Sequence, residues 1–447
     1  MLFWYTLKMV KLSFLGAAQE VTGSCFLLES ESINRRTKIL VDCGMFQCPN
    51  FCDLRTRDPF PFDPKSIDAL FLTHAHIDHS GRIPKLIKEG FVGKIYSTFA
   101  TKDLGELMLK DSIGVLEKEA NRNKEEVLYE EKDVEKAISF WTGKNIHEEI
   151  IVGEFSLKFY DAGHILGSAM VVIDFDGKRI VFTGDLGNTN TILEKTTEFV
   201  KKPDYFVMES TYGDRTHDNS PKSLKLERII EQTIKNKGVL MIPAFALERT
   251  QELLSIISKM MHENQIPLVP IFLDSPLAIK ATSIYEKYLK TPFFKFPNIH
   301  FSLTTEESKK INDVSPPKII IAGSGMSTGG RILHHERRYL SDSKNTLLFV
   351  SFQAPGSLGR RIHDGAKNVT IFGEKINIKC KIESISGYSA HADKETLFEF
   401  ARAHSDTLKK VFLVHGEPKA SFSLVQYFRD YLGVETIAPK YGDYYML

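Results

Sequence analysis

Short runs of apolar residues recur along the chain, and each run ends at a carboxylate or a histidine beside a turn. Runs of Val, Ile, Leu and Phe with this length are typical of buried β-strands. Because a loop follows each run, the polar residue should stand at the carboxyl end of its strand, where open α/β sheets bind ligands. Six residues occupy such positions: Asp42, His74, His164, Asp185, Glu209 and His415.

From about residue 211 the pattern changes to strands that alternate with amphipathic helical segments. Two examples are VLMIPAFALERTQELLSIISKMM and KIIIAGSGMSTGGRILHHERRYL. This alternation predicts a parallel sheet with crossover helices. After about residue 374 the earlier pattern returns, with a strand that ends at a histidine. We therefore predict that one α/β domain, residues 211–373, is inserted into another domain formed by residues 1–210 and 374–447.

Composition places the chain among ordinary globular proteins. Its 447 residues are 42% hydrophobic and 26% charged, which excludes a disordered or fibrous protein. No apolar run approaches the roughly 18 residues of a membrane span, and the apolar start MLFWYTLKMVKL lacks the basic region of a signal peptide. Five cysteines are too few for a disulfide framework in so long a chain. We expect a cytoplasmic protein without a membrane partner, with Met9 as an alternative first residue.

Charge is informative only locally. The net charge of +1 neither favours nor excludes a polyanionic partner. Residues 318–381, however, contain 11 Lys or Arg against 4 Asp or Glu. This excess is typical of a phosphate-binding surface, although a solvated surface with no ligand is the alternative.

The segment His74-Ala-His76-Ile-Asp78-His79 carries the strongest chemical signal. It places three imidazoles and one carboxylate within six residues, directly after a predicted strand. His74 and His76 could share one ion if the loop turns back on itself, and Asp78 and His79 would then face a second ion. Imidazole nitrogen combined with carboxylate oxygen suits Zn²⁺, with Mn²⁺ and Fe²⁺ as alternatives.

Each ion needs further ligands from the other strand ends. His164 in DAGHILGS and Asp185 in FTGDLGN are flanked by glycines, which allow close backbone approach. Asp185 could bridge both ions through its two oxygens, and His415 in LVHGE could complete the second site. The two predicted sets are His74, His76, His164 and Asp185, and Asp78, His79, Asp185 and His415. Asp42 is expected to accept a hydrogen bond from a ligand imidazole and to fix its tautomer.

With these motifs the chain resembles the β-CASP nucleases of the metallo-β-lactamase superfamily, which include mRNA 3′-end-processing endonucleases and RNase J. The resemblance extends over nearly the whole chain. It rests on GAAQEVTGSCFLLE, VDCGMFQ, FLTHAHIDHSGRIP, ESTYGDR, IPAFALERTQELL, LDSPLA, GSGMSTGGR, GYSAHAD and LVHGEP. It implies a metallo-β-lactamase αββα sandwich with an inserted α/β β-CASP domain. It also implies two zinc ions per chain and hydrolysis of single-stranded RNA.

The resemblance also suggests which residues take part in catalysis. Glu209 in ESTYG matches the family's acidic motif, His391 in GYSAHAD matches its first additional histidine, and His415 matches the metal-bound second one. The expected mechanism is attack by a hydroxide bridging the two ions, with His391 as the general acid. Glu209 would keep that imidazole charged, and Asp78 is assigned to the catalytic as well as to the metal-binding residues. A purely structural His391 is the alternative.

The segment from Gly323 to Arg331, GSGMSTGGR, lies between a predicted strand and a predicted helix. Its backbone N–H groups could hold a phosphate at the helix start. The glycine spacing differs from that of a dinucleotide-binding fingerprint. The predicted phosphate-binding residues are Ser324, Ser327, Gly329, Gly330, Arg331, Arg249 and Arg360.

Three alternative functions remain open from the sequence. They are a nuclease that acts on DNA, a small-molecule hydrolase of the wider superfamily, and a catalytically silent RNA-binding protein. Internal cleavage and trimming from the 5′ end are equally compatible with the motifs. The C-terminal tyrosines in YLGVETIAPKYGDYYML could form a homodimer interface, although a core strand would explain them equally well.

Overall fold

The computed structural model describes residues 9–31, 36–47, 54–188, 193, 196–217, 222–290, 294–385 and 389–447. The chain forms two compact units. Unit 1 comprises Met1–Asn190, Glu194–Thr216 and His391–Leu447, and unit 2 comprises Thr191–Leu193 and His217–Ala390.

Strands are numbered along the described part of the chain. They are β1 Val10–Phe14, β2 Phe26–Glu31, β3 Arg36–Val41, β4 Ala69–Phe71, β5 Lys94–Thr98, β6 Trp141–Lys144, β7 Ile150–Val152, β8 Phe155–Asp161, β9 Ala169–Phe175, β10 Lys178–Phe182, β11 Tyr205–Glu209, β12 Val239–Pro243, β13 Ile271–Asp274, β14 Ile299–Phe301, β15 Lys318–Ala322, β16 Thr346–Phe349, β17 Asn368–Ile371, β18 Glu374–Asn377, β19 Lys381–Ser384, β20 Lys410–Val414, β21 Glu435–Ile437 and β22 Tyr444–Met446.

The helices are numbered in the same way. They are α1 Ile77–Ser80, α2 Ile83–Lys88, α3 Phe99–Asn123, α4 Glu131–Phe140, α5 Lys222–Lys235, α6 Arg249–His262, α7 Pro276–Leu289, α8 Thr305–Lys310, α9 Ile332–Tyr339, α10 Leu358–His363, α11 Lys394–Arg402 and α12 Pro418–Leu432. Within the described ranges, none of these helices has the length and apolar character that crossing a membrane requires.

Unit 1 contains two seven-stranded sheets with the orders β22-β1-β2-β3-β4-β5-β6 and β21-β20-β11-β10-β9-β8-β7. Apolar side chains from both sheets share one core, to which Phe14 and Phe71 contribute from the first sheet and Phe159 and Phe182 from the second. Helices α2, α3 and α4 cover the other face of the first sheet, and α11 and α12 cover that of the second. The predicted αββα sandwich is confirmed.

Burial on both faces explains why the strands read as continuous apolar runs. In β9, Val171 and Ile173 face the core between the sheets, whereas Met170 and Val172 face the layer that contains α11 and α12. Successive side chains of a strand point to opposite faces. A strand buried on both sides therefore has no polar alternation to show in its sequence.

Unit 2 is built on a six-stranded sheet with the order β14-β13-β15-β12-β16-β19. All of its strand pairs are parallel, and helices connect successive strands, as the sequence pattern predicts. The antiparallel hairpin β17–β18 is an addition that the pattern did not show. Residues 374–390, which the sequence analysis placed in the last segment of the outer domain, belong to unit 2, because β19 pairs with β16.

The C-terminal tyrosines are divided between core and surface. Strand β22 pairs with β1, and Tyr445 packs against Phe14 and Phe412 with ring centroids 5.9 and 4.9 Å away. Tyr444 is exposed, with Lys11 above its ring. A core strand therefore accounts for Tyr445, and the homodimer stays a prediction.

Candidate metal centre

The strand-end residues of the sequence analysis all lie in unit 1. Asp42 follows β3, His74 follows β4, His164 follows β8, Asp185 follows β10 and His415 follows β20. The pairs β3–β4 and β11–β20 are parallel, so the carboxyl ends within each pair share one edge. These edges carry the acidic and imidazole side chains.

The loop after β4 reverses its direction through the single turn of α1, which begins directly after His76. Two backbone hydrogen bonds hold the turn: Cys43 N–H donates to the carbonyl of His79, and Ser24 N–H donates to that of Asp78. Gly44 is required at this point, because a Cβ there would lie 1.6 Å from the Asp78 carbonyl oxygen. The turn separates His74 and His76 from Asp78 and His79.

Four ligand atoms converge on one point. His76 Nδ1 lies 3.0 Å from His74 Nε2 and 3.3 Å from His164 Nε2. Asp185 Oδ2 lies 3.4 Å from His74 Nε2 and 3.5 Å from His164 Nε2. A tetrahedral ion with bonds of about 2.0–2.1 Å needs ligand atoms about 3.3 Å apart. This donor set therefore fits a divalent ion such as Zn²⁺.

A second set lies on the other side of Asp185. Its Oδ1 is 3.3 Å from His79 Nε2 and 3.6 Å from His415 Nδ1, and His415 Nε2 is 3.3 Å from Asp78 Oδ2. Asp185 Oδ1 is buried and has no hydrogen-bond donor within the described part of the chain. A buried carboxylate oxygen without a donor is costly, and a cation at this position would satisfy it.

The protonation states of the first set and of Asp78 suit metal binding, whereas at His79 burial is outweighed by Asp185 and Asp42, which hold the pKa well above its usual value. Burial lowers the pKa of His74 to about 4 and that of His76 to about 3, and it holds the pKa of His164 well below its usual value. These imidazoles are neutral at pH 7 and have a free lone pair. Burial alone would raise the pKa of Asp185 and Asp78, but the neighbouring histidines, His415 first among them, lower both. The two carboxylates are therefore ionised.

Asp42 orients one of the ligands. Its carboxylate accepts hydrogen bonds from Thr73 N at 2.8 Å and Thr73 Oγ1 at 2.9 Å, and its Oδ2 lies 2.7 Å from His79 Nδ1. With Nδ1 donating to Asp42, His79 directs Nε2 towards Asp185. The sequence analysis had assigned Asp42 this contact with an imidazole. It missed Thr73, whose only signal is its place directly before His74.

Thr211 plays the corresponding part for His415 and was also missed. Its hydroxyl donates to the carbonyl oxygen of His415 at 3.0 Å and lies 3.1 Å from Nδ1 of the same residue. The single hydroxyl proton of Thr211 goes to the carbonyl oxygen of His415. Thr211 Oγ1 therefore accepts a hydrogen bond from Nδ1–H of His415. His415 Nε2 is then the nitrogen with the free lone pair, and it is the atom that faces Asp78.

Replacing Thr211 by valine is expected to weaken binding of the second ion by about 10- to 100-fold, because the correct tautomer and ring orientation of His415 are lost. Thr211→Ser should restore the affinity, since it keeps the hydroxyl. The measurement is Zn²⁺ affinity in competition with a chromophoric chelator, together with thermal unfolding of the metal-free variants. Wild-type affinity in the valine variant would contradict this role of Thr211.

Glu209 and His391 form a further pair beside the first ligand set. His391 Nδ1 lies 3.2 Å from Glu209 Oε2, and Glu209 Oε1 accepts from Leu186 N–H at 2.6 Å. Burial opposes a charged imidazole, but Glu209 and then Asp185 raise the pKa of His391 to about 10. The His391 side chain is 20% exposed, and its ring centroid is 4.5 Å from that of His164. It is a cationic imidazole next to the ligands.

The same pair offers an alternative. Ligand atoms of Asp185, Glu209 and His391 lie within 4.8 Å of one another, which is close enough for these side chains to hold an ion themselves. The metal content of a His391 variant distinguishes a proton donor from a ligand.

The predicted phosphate-binding residues lie in unit 2, and their side chains have partners there. Arg331 Nη1 donates to Asp274 Oδ1 at 2.8 Å and also to the carbonyl oxygen of Ser302. Arg249 is buried beside Glu248 and Glu252. Arg360 forms a surface ion pair with Asp364.

The loop between β15 and α9 is held by its own serines. Ser324 Oγ accepts from the N–H groups of Thr328 and Gly329 at 2.9 and 3.2 Å. Ser327 donates to Glu336, a buried residue whose pKa burial raises to about 8. Gly330 adopts a positive φ of 71°. The loop is thus a fixed turn.

Three family descriptions match the chain in succession: "Metallo-beta-lactamase superfamily" over residues 18–197, "Beta-Casp domain" over 250–362 and "Zn-dependent metallo-hydrolase RNA specificity domain" over 375–439. A solved structure from Enterococcus faecalis, described as a protein of unknown function, shares the fold with a TM-score of 0.57 at 14% identity. That match covers 98% of this chain and 100% of the other.

Three relatives match over nearly the full length of this chain. Ribonuclease TTHA0252 of Thermus thermophilus is 37% identical over 92% of this chain and 94% of its own. An RNase J-like protein of Methanocaldococcus jannaschii is 34% identical over 97% and 99%. Transcription termination factor FttA of Methanosarcina mazei is 32% identical over 96% and 70%. Together with the donor sets in unit 1, these similarities show that the chain belongs to the β-CASP nuclease family of the metallo-β-lactamase superfamily and is a metal-dependent hydrolase.

Proposed function

We propose that this chain is a zinc-dependent ribonuclease that hydrolyses RNA phosphodiester bonds with two ions per chain. The observation that supports this most directly is the position of Asp185. Its two carboxylate oxygens face two ligand sets at distances suited to Zn²⁺. The names of two relatives, a ribonuclease and an RNase J-like protein, support RNA as the substrate. The match to a description of RNA specificity over residues 375–439 supports it as well.

The residues of the chain have distinct tasks in this proposal. His74, His76, His164 and Asp185 would hold one ion, and Asp78, His79, Asp185 and His415 would hold the other. When bound, two such ions supply an activated water and stabilise negative charge on a phosphate oxygen. Glu209 would accept a hydrogen bond from His391 Nδ1–H and keep the imidazole charged, so that Nε2–H would supply the proton for the leaving oxygen.

The predicted phosphate-binding residues would hold the RNA backbone on unit 2. The basic excess of residues 318–381 supports this part of the proposal. Because the guanidinium groups of Arg249, Arg331 and Arg360 already pair with carboxylates, they would act chiefly by fixing the loops. The backbone N–H groups of Ser324, Ser327 and Gly329 already donate within the loop, so the direct donor among the predicted residues would be the N–H group of Gly330.

Cleavage of 5′-labelled single-stranded RNA and of the matching DNA by zinc-loaded protein tests the proposal. His76→Ala serves as the matched control, because it removes one ligand and exposes any contaminating nuclease. Zinc-dependent RNA cleavage that the control lacks is expected, and the product ladder separates internal cuts from 5′ trimming. Equal cleavage of DNA would extend the substrate to both nucleic acids. No cleavage by protein with two ions would contradict the proposal and favour a small-molecule hydrolase.

Two further expectations belong to this proposal. A cytoplasmic location is supported by Cys25, Cys43 and Cys380, which are buried free thiols. A homodimer is supported by the exposed Tyr444 on the edge strand β22. The molecular mass of the protein in solution tests this expectation.

A further inference from the structure

We propose that Phe245 and Phe352 form a stacking site for bases of a single-stranded RNA at the carboxyl edge of the unit 2 sheet. The inference rests on the proposed function, since it takes the nuclease substrate as its ligand. It adds a base-binding site to a chain for which the sequence suggested only phosphate contacts.

Both phenylalanines leave neighbouring parallel strands at the same edge. Strands β12 and β16 pair in parallel, with Met241 opposite Leu347. Phe245 follows the end of β12 and Phe352 follows the end of β16, and their exposed fractions are 40% and 55%. The carboxyl edge of a parallel sheet is where α/β domains bind ligands. Two exposed aromatic rings at that edge provide flat apolar surfaces.

Phe245 and the residue after Phe352 adjoin the fixed loop between β15 and α9. Atoms of Phe245 lie 2.9–3.0 Å from the position that a Cβ of Gly325 would occupy, so the loop can approach the ring only because residue 325 is glycine. Next to Phe352, the Gln353 side-chain amide donates to the carbonyl oxygens of Gly325 and Ser351 at 2.9 and 3.0 Å. Phe245 and the residue after Phe352 thus both contact Gly325.

Polar groups without partners lie on the loop that Phe245 contacts and on the two residues that flank Phe352 in the chain. The backbone N–H groups of Gly325, Met326 and Gly330 donate to no group in the ranges that the structure covers. Ser351 Oγ and Gln353 Oε1 are buried and also lack a hydrogen-bond partner in those ranges; the Gln353 residue is 5% exposed. Native proteins rarely leave such groups unpaired. Donors without acceptors beside exposed aromatic rings match a ligand that combines a base with a phosphate.

Charge favours nucleic acid over a peptide as the occupant. The basic segment 318–381, with 11 Lys or Arg against 4 Asp or Glu, includes both the loop and Phe352. Single strands bind to proteins through basic surfaces on which bases stack against aromatic side chains. Every base has a π-face, so such a site would accept RNA of varied sequence.

An abasic scan combined with phenylalanine variants tests the site. Metal-free protein in EDTA binds a fluorescent 12-nucleotide RNA, and anisotropy gives the affinity for RNAs with one abasic position each. For the wild-type chain, an abasic site at one or two positions of the RNA should lower the affinity by about 5- to 100-fold. In Phe352→Ala or Phe245→Ala the intact RNA should bind more weakly, and the abasic penalty at the matching position should disappear. Phe352→Trp should retain it.

Phe422→Ala is the matched control, because Phe422 is an exposed phenylalanine of unit 1 outside every site described above; it should keep the wild-type scan. A penalty that persists unchanged in both alanine variants, or a wild-type scan without position dependence, would overturn the stacking site while RNA cleavage and the proposed function stand. Failure of the wild-type chain to bind or cleave RNA at all would remove the proposed function and this inference together.

Discussion

Asp185→Asn is expected to reduce the zinc content from two ions per chain to at most one and to lower RNA cleavage by at least about 1,000-fold. The reason is geometric. Asp185 Oδ2 belongs to the set with His74 and His164, and Oδ1 belongs to the set with His79 and His415. Asparagine keeps one oxygen and loses the negative charge, so it cannot serve both sets.

Zinc content by mass spectrometry and the initial cleavage rate are the two measurements for this variant. Asp174→Asn is a suitable control. Asp174 lies on β9, next to the strand β10 that precedes Asp185, but it pairs with Arg179 at the surface. The control should keep two ions and the wild-type rate. Two tightly bound ions and a normal rate in Asp185→Asn would refute the shared ligand.

His391→Ala is expected to keep both ions and to lose about 100- to 10,000-fold in rate, the usual contribution of a general acid. His391 is a cation because Glu209 lies 3.2 Å from its Nδ1, and it is outside the two ligand sets described above. Removing it should leave Zn²⁺ affinity unchanged while the leaving oxygen loses its proton donor.

A substrate with a good leaving group distinguishes the general-acid role of His391 from other roles of this residue. A phosphodiester with a nitrophenolate leaving group needs little protonation, so on this substrate the loss in His391→Ala should be much smaller than on RNA. An equal loss on both substrates would rule out the general acid. A drop in zinc content would instead indicate that His391 is a ligand with Asp185 and Glu209.

The ligand sets could be predicted from the sequence because their members follow a simple rule. Each follows a buried strand or lies in one six-residue loop, and the carboxyl ends of parallel strands meet at an edge. Thr73 and Thr211 could not be found in this way. A threonine beside a histidine, as at Thr73, is common, and Thr211 lies 204 positions before His415. The hydrogen bonds of both threonines depend on the folded backbone.

Side-chain partners that are distant along the chain could not be predicted from the sequence for the same reason. Arg331 reads as a phosphate contact because it ends a glycine-rich loop, but its guanidinium pairs with Asp274, 57 positions earlier in the chain. The pairing of the strand that follows residue 374 also depends on the folded chain. Strand β19 has the largely polar sequence KIES, and its pairing with β16 joins it to unit 2.

The order of the ligands along the chain has a consequence for biosynthesis. The first set is complete once Asp185 has been translated, whereas the second requires His415, which lies 337 positions after its partner Asp78. At about 5–20 residues per second, the ribosome needs on the order of 17–70 s to cover that distance. Throughout this interval the nascent chain lacks at least one of the two ligand sets. A centre built from these residues cannot be complete before His415 has been translated.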